Sequence, residues 1–199
     1  MILSIQQPEH LPWMGYFNKL DRADKAVMLD CVQFKKRYFE NRNKVRTRTG
    51  WTWLTVPVVT KGRYTQSIAD VRVDTSRSWQ RKMVSTIAQS YAKARFWSDF
   101  GPDICELLDR SWYGLAELNI TLIHWLAAAI GIEISTVRGT DLDVEGNGTE
   151  LILNICHSMG ADTYLSGRDG ANYLDLEAFE RLGIRVLFQD FKHPEHSQL

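Results

Sequence analysis

The chain has 199 residues, with 24 basic and 24 acidic side chains that cancel to no net charge. Such a balance argues against a dedicated DNA binder, whose basic footprint usually covers the whole domain. A chain of this length buries roughly 70% of its unfolded surface, enough for a core without disulfides, and fits one domain with a helical insert. Cys31, Cys105 and Cys156 are an odd number without paired spacing. All three lie in apolar stretches, which predicts reduced, buried thiols in a cytosolic protein. The start, MILSIQQPEH, lacks the basic region and the apolar length of a signal peptide. The most apolar stretch, 115–130, carries Glu117, Asn119 and His124 and is short of the roughly 20 residues a membrane span needs.

In chain order, Met1 to Ile5 reads as a strand that ends at Gln6-Gln7-Pro8, since Pro cannot donate to a sheet ladder. A helix follows, with Pro12 at its first position. Gly15 in the first turn costs about 1 kcal/mol relative to Ala, so either a group approaches the backbone closely there or helix and strand pack tightly. Ala26 to Leu29 is a second strand, with Asp30 at its carboxyl end, placed as a site carboxylate or as a cap on the loop.

From Asp30 to Val58 the chain is locally basic. Lys35, Lys36, Arg37, Arg42, Lys44, Arg46 and Arg48 face only Glu40, and Tyr38, Phe39, Trp51 and Trp53 are interleaved. Clustered like charges are relieved best by an anion, and the aromatics have apolar area to bury. The pattern predicts an ordered basic loop facing a phosphate or carboxylate. Trp53 to Val58 continues as strand or hairpin, and the alternation over Ile68 to Val73 predicts a half-exposed strand.

The middle is helical. Trp79, Met83, Ile87 and Tyr91 make one apolar stripe. Pro102 to Leu108 and Leu115 to Ile130 are two further helices, the last stopped by Gly131. His124 reads as a satisfied core histidine. Together these form an insert over about 78–131. Ile132 to Val137 is β-like and 138–147 irregular. A helix capped by Thr149 then buries Leu151, Ile152, Ile155, Cys156 and Met159. Thr163 to Leu165 is a strand. Ser166-Gly167-Arg168-Asp169-Gly170 turns into a helix over Ala171 to Leu182, and Ile184 to Phe188 is the last strand. This rhythm predicts an α/β fold with a mostly parallel, Rossmann-like sheet flanked by helices. A Ser-Gly turn that opens a helix offers unpaired N–H groups to an anion.

No zinc-ligand spacing, nucleophile elbow, Walker loop or dinucleotide fingerprint is present. No metal is assigned and no cofactor is named; His193 and His196 read as a surface turn. What remains is an anion-binding set with polar groups at strand ends. His10 and Asp30 are the candidates for proton transfer. Lys35, Lys36, Arg37 and Arg42 are expected to hold a donor's phosphates, and Arg42 between Asn41 and Asn43 is suited to bidentate anion binding. Trp13 and Tyr16 would line the pocket. Gln7, Gly15, Gln33, Lys44, Ser166, Gly167 and Gly170 complete the set.

Gln7-Pro8, Leu11-Pro12-Trp13, Gly15-Tyr16-Phe17, Leu29-Asp30, Val32-Gln33-Phe34, Lys36-Arg37, Asn41-Arg42-Asn43-Lys44 and Trp53-Leu54-Thr55-Val56-Pro57-Val58 resemble the WbqC-like family. So do Gly148-Thr149, Tyr164-Leu165-Ser166-Gly167, Gly170, Tyr173-Leu174-Asp175, His193-Pro194 and Gln198, so the resemblance runs over nearly the whole chain. It implies a bacterial, cytoplasmic, biosynthetic role in O-antigen (lipopolysaccharide), other surface-polysaccharide or natural-product clusters. Family members often carry His at position 6, where Gln6 stands here, and usually continue past the position of Leu199 through an aromatic, leucine-rich segment. The HxGH nucleotidylyltransferases are a more distant analogy: Gly15 is kept, both histidines are not.

The expectation is a transferase that moves an acyl or aminoacyl group onto an amino sugar or similar small acceptor. The partner would be a phosphate-bearing or carboxylate-bearing small molecule. The alternatives are a nucleotidyl- or glycosyl-type transferase, a nucleic-acid binder using the basic aromatic loop, and a non-catalytic assembly partner.

Overall fold

The structure is a computed structural model that describes residues 1–195; His196, Gln198 and Leu199 lie outside the described residues. In chain order the elements are β1 (Ile2–Gln6), α1 (Met14–Asp21), β2 (Lys25–Met28), β3 (Arg42–Thr47), β4 (Gly50–Thr55), α2 (Trp79–Tyr91), α3 (Trp97–Asp109), α4 (Leu115–Ala129), β5 (Ser135–Arg138), α5 (Gly148–Ser158), β6 (Thr163–Ser166), α6 (Leu176–Arg181) and β7 (Arg185–Phe188). They form two compact units. The first contains 1–7, 13–31 and 130–193; the second contains 8–12 and 32–129.

The first unit is built on a five-stranded sheet in the order β5-β2-β1-β6-β7, with every pair parallel. It is the α/β architecture expected. β1, β2 and β6 are short apolar runs because they are covered on both faces: Leu3, Ala26, Val27, Met28 and Leu165 are all but fully buried. The outer strands β5 and β7 are partly exposed. Leu20, Ile155 and Phe179 supply fully buried side chains from the helices.

The second unit holds the antiparallel hairpin β3–β4 and the helices α2, α3 and α4. Its core gathers Leu54, Val56, Ile68, Trp79, Met83 and Leu122, among others. The three helices fall within the expected 78–131 span and share their unit with residues 32–77.

Several local expectations are corrected. Pro12 precedes α1 instead of opening it, and Trp13 is the N-cap. The Asp30–Val58 segment is not one loop, because Arg42, Lys44 and Arg46 sit on a strand paired with Thr55, Trp53 and Trp51. Ile68 to Val73 forms only isolated bridges around a turn, since Ile68, Val71 and Val73 are all buried and no single alternation satisfies them. α3 begins at Trp97 and carries Pro102 inside it; the proline removes one helical hydrogen bond without ending the helix. The N-cap of α5 is Asn147, and the Thr149 hydroxyl accepts instead from the Asp175 amide. The Ser166-Gly167 turn leads into a 3-10 turn over Arg168–Asn172, and α6 starts only at Leu176. His124 is exposed, and Cys31 and Cys105 are only partly buried.

Candidate functional site

In an open parallel sheet, ligands bind at the carboxyl ends of the strands where the strand order reverses. Here the order runs outward from β1 to β2 and β5 on one side and from β6 to β7 on the other. The reversal therefore lies between β1 and β6. Their carboxyl ends carry Gln6-Gln7 and Ser166-Gly167.

Helix α1 borders this point. Its N-cap Trp13 makes no side-chain cap bond, and its first turn contains no acid, so no carboxylate of its own opposes the positive end of the helix. A Cβ at Gly15 would overlap the Trp13 indole. The group that approaches the Gly15 backbone is thus Trp13 itself, which also packs edge-on against Phe191 at 5.5 Å. The Gly15 carbonyl accepts from Gln189 Nε2 at 2.7 Å, and Asn18 Oδ1 accepts from the same amide at 2.9 Å. Gln189 is buried and follows β7, so it ties α1 to the far strand end. The Tyr16 hydroxyl donates to the Gln7 carbonyl at 3.1 Å.

Lys19 supplies a cation. Side chains on a helix lean toward its amino end, and the Lys19 ammonium reaches to 3.9 Å from where a Gly167 Cβ would stand. Nothing else crowds Gly167. Gly170 is different. A Cβ there would overlap Ser166 Oγ, so its missing side chain makes room for Ser166 rather than for a ligand. The Ser166 hydroxyl donates to the Gly167 carbonyl at 3.1 Å.

On the same carboxyl edge, beside β1, Asp30 follows β2 and is fully buried. Its Oδ2 accepts from Arg138 Nε at 2.7 Å and pairs with Nη2 at 2.6 Å. The Thr140 amide donates to Oδ1 at 3.0 Å and its hydroxyl to Oδ2 at 3.3 Å. Asp30 thus holds Arg138, whose side chain is 41% exposed. Beside them, burial and the Asp30 charge push the Cys31 thiol above its ordinary range, and burial pushes Cys156 up to about 12. Neither is a ready thiolate.

The remaining predicted residues belong to the second unit. His10 is fully buried, and its Nδ1 lies 3.2 Å from Asn119 Oδ1. The Asn119 amide donates to the Pro8 and Glu40 carbonyls, so Oδ1 is the acceptor and Nδ1 carries the imidazole proton. Burial lowers the His10 pKa to about 4, against a smaller opposing effect of the Asn119 bond. Nε2 is then a bare lone pair, with no partner among the described residues. Gln33 donates to the Tyr64 carbonyl, Asn41 to Val56 and Asn43 to Leu11. These amides brace the base of the hairpin and do not flank an anion held by Arg42. Arg42 stacks on Trp53 at 4.1 Å, and Lys44 on Trp51 at 3.9 Å. Lys35, Lys36 and Arg37 are exposed, and Arg37 has φ +62°.

The model of the WbqC-like protein family matches residues 7–199. The chain belongs to the WbqC-like protein family. An uncharacterised protein of Mycobacterium tuberculosis, Rv1507c, is 29% identical over 190 residues, covering 95% of this chain and 82% of that protein. No solved structure matches.

This WbqC-like chain has no helix among its described residues long and apolar enough to cross a membrane. The described residues contain no group of three or more His, Cys, Asp or Glu suited to a metal ion. Sequence reasoning missed Lys19, Arg138 and Gln189. Each is a common polar residue with no local pattern around it. Only the sheet order brings Lys19 to Gly167, Arg138 to Asp30 and Gln189 to Gly15.

Proposed function

We propose that this WbqC-like protein is a transferase that binds an activated, anion-bearing small molecule at the carboxyl edge of its parallel sheet. One observation carries the reading. The strand order reverses between β1 and β6, whose carboxyl ends carry Gln7 and Ser166-Gly167, and the Lys19 ammonium comes to 3.9 Å from where a Gly167 Cβ would stand. Lys19 and the amides at the start of α1 receive the anionic part of the donor. The exposed side of Arg138, held by Asp30, offers a second, fixed positive charge. Asp30 acts in this reading as the anchor of Arg138, because four contacts already occupy its oxygens. The reading assigns no step to His10, which is fully buried in the second unit. The group moved is acyl or aminoacyl, and the acceptor is an amino sugar or similar amine. The setting is bacterial surface-polysaccharide or natural-product synthesis.

A second reading is a nucleotide donor, as in nucleotidyl or glycosyl transfer. The same strand order favours it, since this reversal is where mononucleotides sit in doubly wound sheets. A thermal-shift panel separates the two. It contains coenzyme A thioesters and acetyl phosphate on one side, ATP and nucleotide sugars on the other. A ligand at a hundred times its dissociation constant adds about 2.7 kcal/mol. The reading expects one class to raise the melting temperature and Lys19→Ala to remove that rise. A rise that persists in Lys19→Ala places the ligand elsewhere.

A further inference from the structure

The β3–β4 hairpin has two unlike faces. Val45 and Leu54 turn into the core of the second unit. The register sets Lys44 opposite Trp53 and Arg46 opposite Trp51. Side chains alternate along a strand, so Arg42, Lys44, Arg46, Trp51, Trp53 and Thr55 share the outer face. Rings and cations interleave there. Arg42 lies over Trp53, Lys44 over Trp51, and Trp51 meets Trp53 edge-on at 6.1 Å. Phe39 and Tyr38 extend the row, and Lys35 stands over Tyr38. Trp51 keeps 57% of its surface exposed and Tyr38 50%.

The charge on this face is unbalanced. From Val32 to Ala69 the chain has nine Lys and Arg and one acid, Glu40. Glu40 is fully buried, so its carboxylate does not reach the surface. Among the described residues none of the nine makes an ion pair, while Arg77, Arg110 and Arg181 elsewhere do. At the hairpin tip a groove of about 630 Å³ is lined by Thr47, Arg48, Thr49, Gln89, Ser90 and Lys93, among others. Its size suits a nucleotide-sized group, and it adds two cations, hydroxyls and an amide.

We propose that this outer face, with the groove at its tip, binds a single-stranded nucleic acid. Exposed rings offer stacking to unpaired bases, and the cations along β3 meet successive phosphates. An acidic polysaccharide is disfavoured on the same surface. A stack of exposed rings flanked by cations answers flat bases joined by phosphates, whereas the carboxylate of Glu40, the one acid of this segment, is buried and leaves no charged acceptor for sugar hydroxyls. The inference goes beyond the transferase reading and is independent of it, because it uses only residues of the second unit.

Fluorescence anisotropy on the full chain tests it, with labelled dodecamers of oligo-U and oligo-dT, a duplex of equal length, and a polyuronate as competitor. The expected result is micromolar or tighter binding of a single strand, at least tenfold weaker binding of duplex, and little competition by polyuronate. The logarithm of the affinity should fall against the logarithm of salt with a slope of about −0.7 per phosphate neutralised. Trp51→Ala should weaken binding by roughly 5- to 100-fold, and Lys44→Ala should make the slope shallower by about 0.7. The exposed pair Lys36→Glu and Arg37→Glu repeats the test without touching the hairpin. Lys19→Ala should leave oligonucleotide binding unchanged. No binding at low salt, equal competition by polyuronate, or binding indifferent to all of the hairpin and loop variants overturns the proposal.

Discussion

Arg138 grips Asp30 across 108 residues of sequence, with Nε at 2.7 Å and Nη2 at 2.6 Å from the same carboxylate oxygen. The carboxylate is fully buried, while the guanidinium is partly solvated. Arg138→Ala leaves a buried charge with only Thr140 to hold it. Removing one partner of a buried pair costs about 3–5 kcal/mol, and partial solvation of Arg138 brings the expected loss toward about 2–3 kcal/mol. Urea unfolding at pH 7 checks this. An unchanged midpoint would mean that Thr140 alone suffices, and that Asp30 is free for other work.

His10 makes stability depend on pH. Its folded pKa is about 4, against an ordinary 6.5. The unfolded chain therefore takes up a proton first as the pH falls. The contribution is fully present above about 6.5 and is lost between there and about 4, amounting to about 3 kcal/mol. His10→Asn keeps a donor toward Asn119 without titrating. The stability difference between wild type and His10→Asn should shrink or reverse from pH 7.5 to pH 5; a constant difference contradicts the buried neutral imidazole.

Glu40 acts in the opposite sense. Burial raises its pKa, and the amides of Lys35 and Glu40 and the Lys35 charge offset this only in part. Neither oxygen makes a hydrogen bond of normal geometry among the described residues. A raised folded pKa means that stability is lost as pH rises through it. Glu40→Gln should therefore raise the melting temperature at pH 8 and leave it nearly unchanged at pH 4. Destabilisation by Glu40→Gln at pH 8 would show that the ionised form is the one the fold holds.

Gly170 and Ser166 are coupled by space. Gly170→Ala places a methyl group on Ser166 Oγ and 3.1 Å from Leu174 Cδ1. The expected cost is about 1–3 kcal/mol. Ser166→Ala removes the clash with the hydroxyl, so the double variant should be less destabilised than the sum of the singles. Strict additivity in a double-mutant cycle would deny the contact.

The parallel sheet was legible because β1, β2 and β6 are buried on both faces and so read as plain apolar runs. β3 was not. In Arg42-Asn43-Lys44-Val45-Arg46-Thr47 only Val45 signals a core, and the strand exists because indoles from β4 cover the aliphatic and cationic side chains opposite. Pro102 misled because proline favours a helix start, whereas here a full turn precedes it. At the strand-order reversal, Gln7, Ser166 and Gly167 could be placed from strand ends and turn residues. Lys19 and Arg138 could not, since each is an ordinary surface-type residue until the chain closes the sheet around it.

β1 is the middle strand, yet one of its two neighbours, β6, is synthesised some 160 residues later. A ribosome that has released only the first half of the chain has therefore made the β1 side of the strand-order reversal and none of the β6 side. Loop closure on that scale is slow, so the nascent chain carries β1 with one edge of unpaired N–H and C=O groups until translation is nearly finished. The exposure that this topology imposes therefore falls during synthesis, before Thr163–Ser166 emerges to close it.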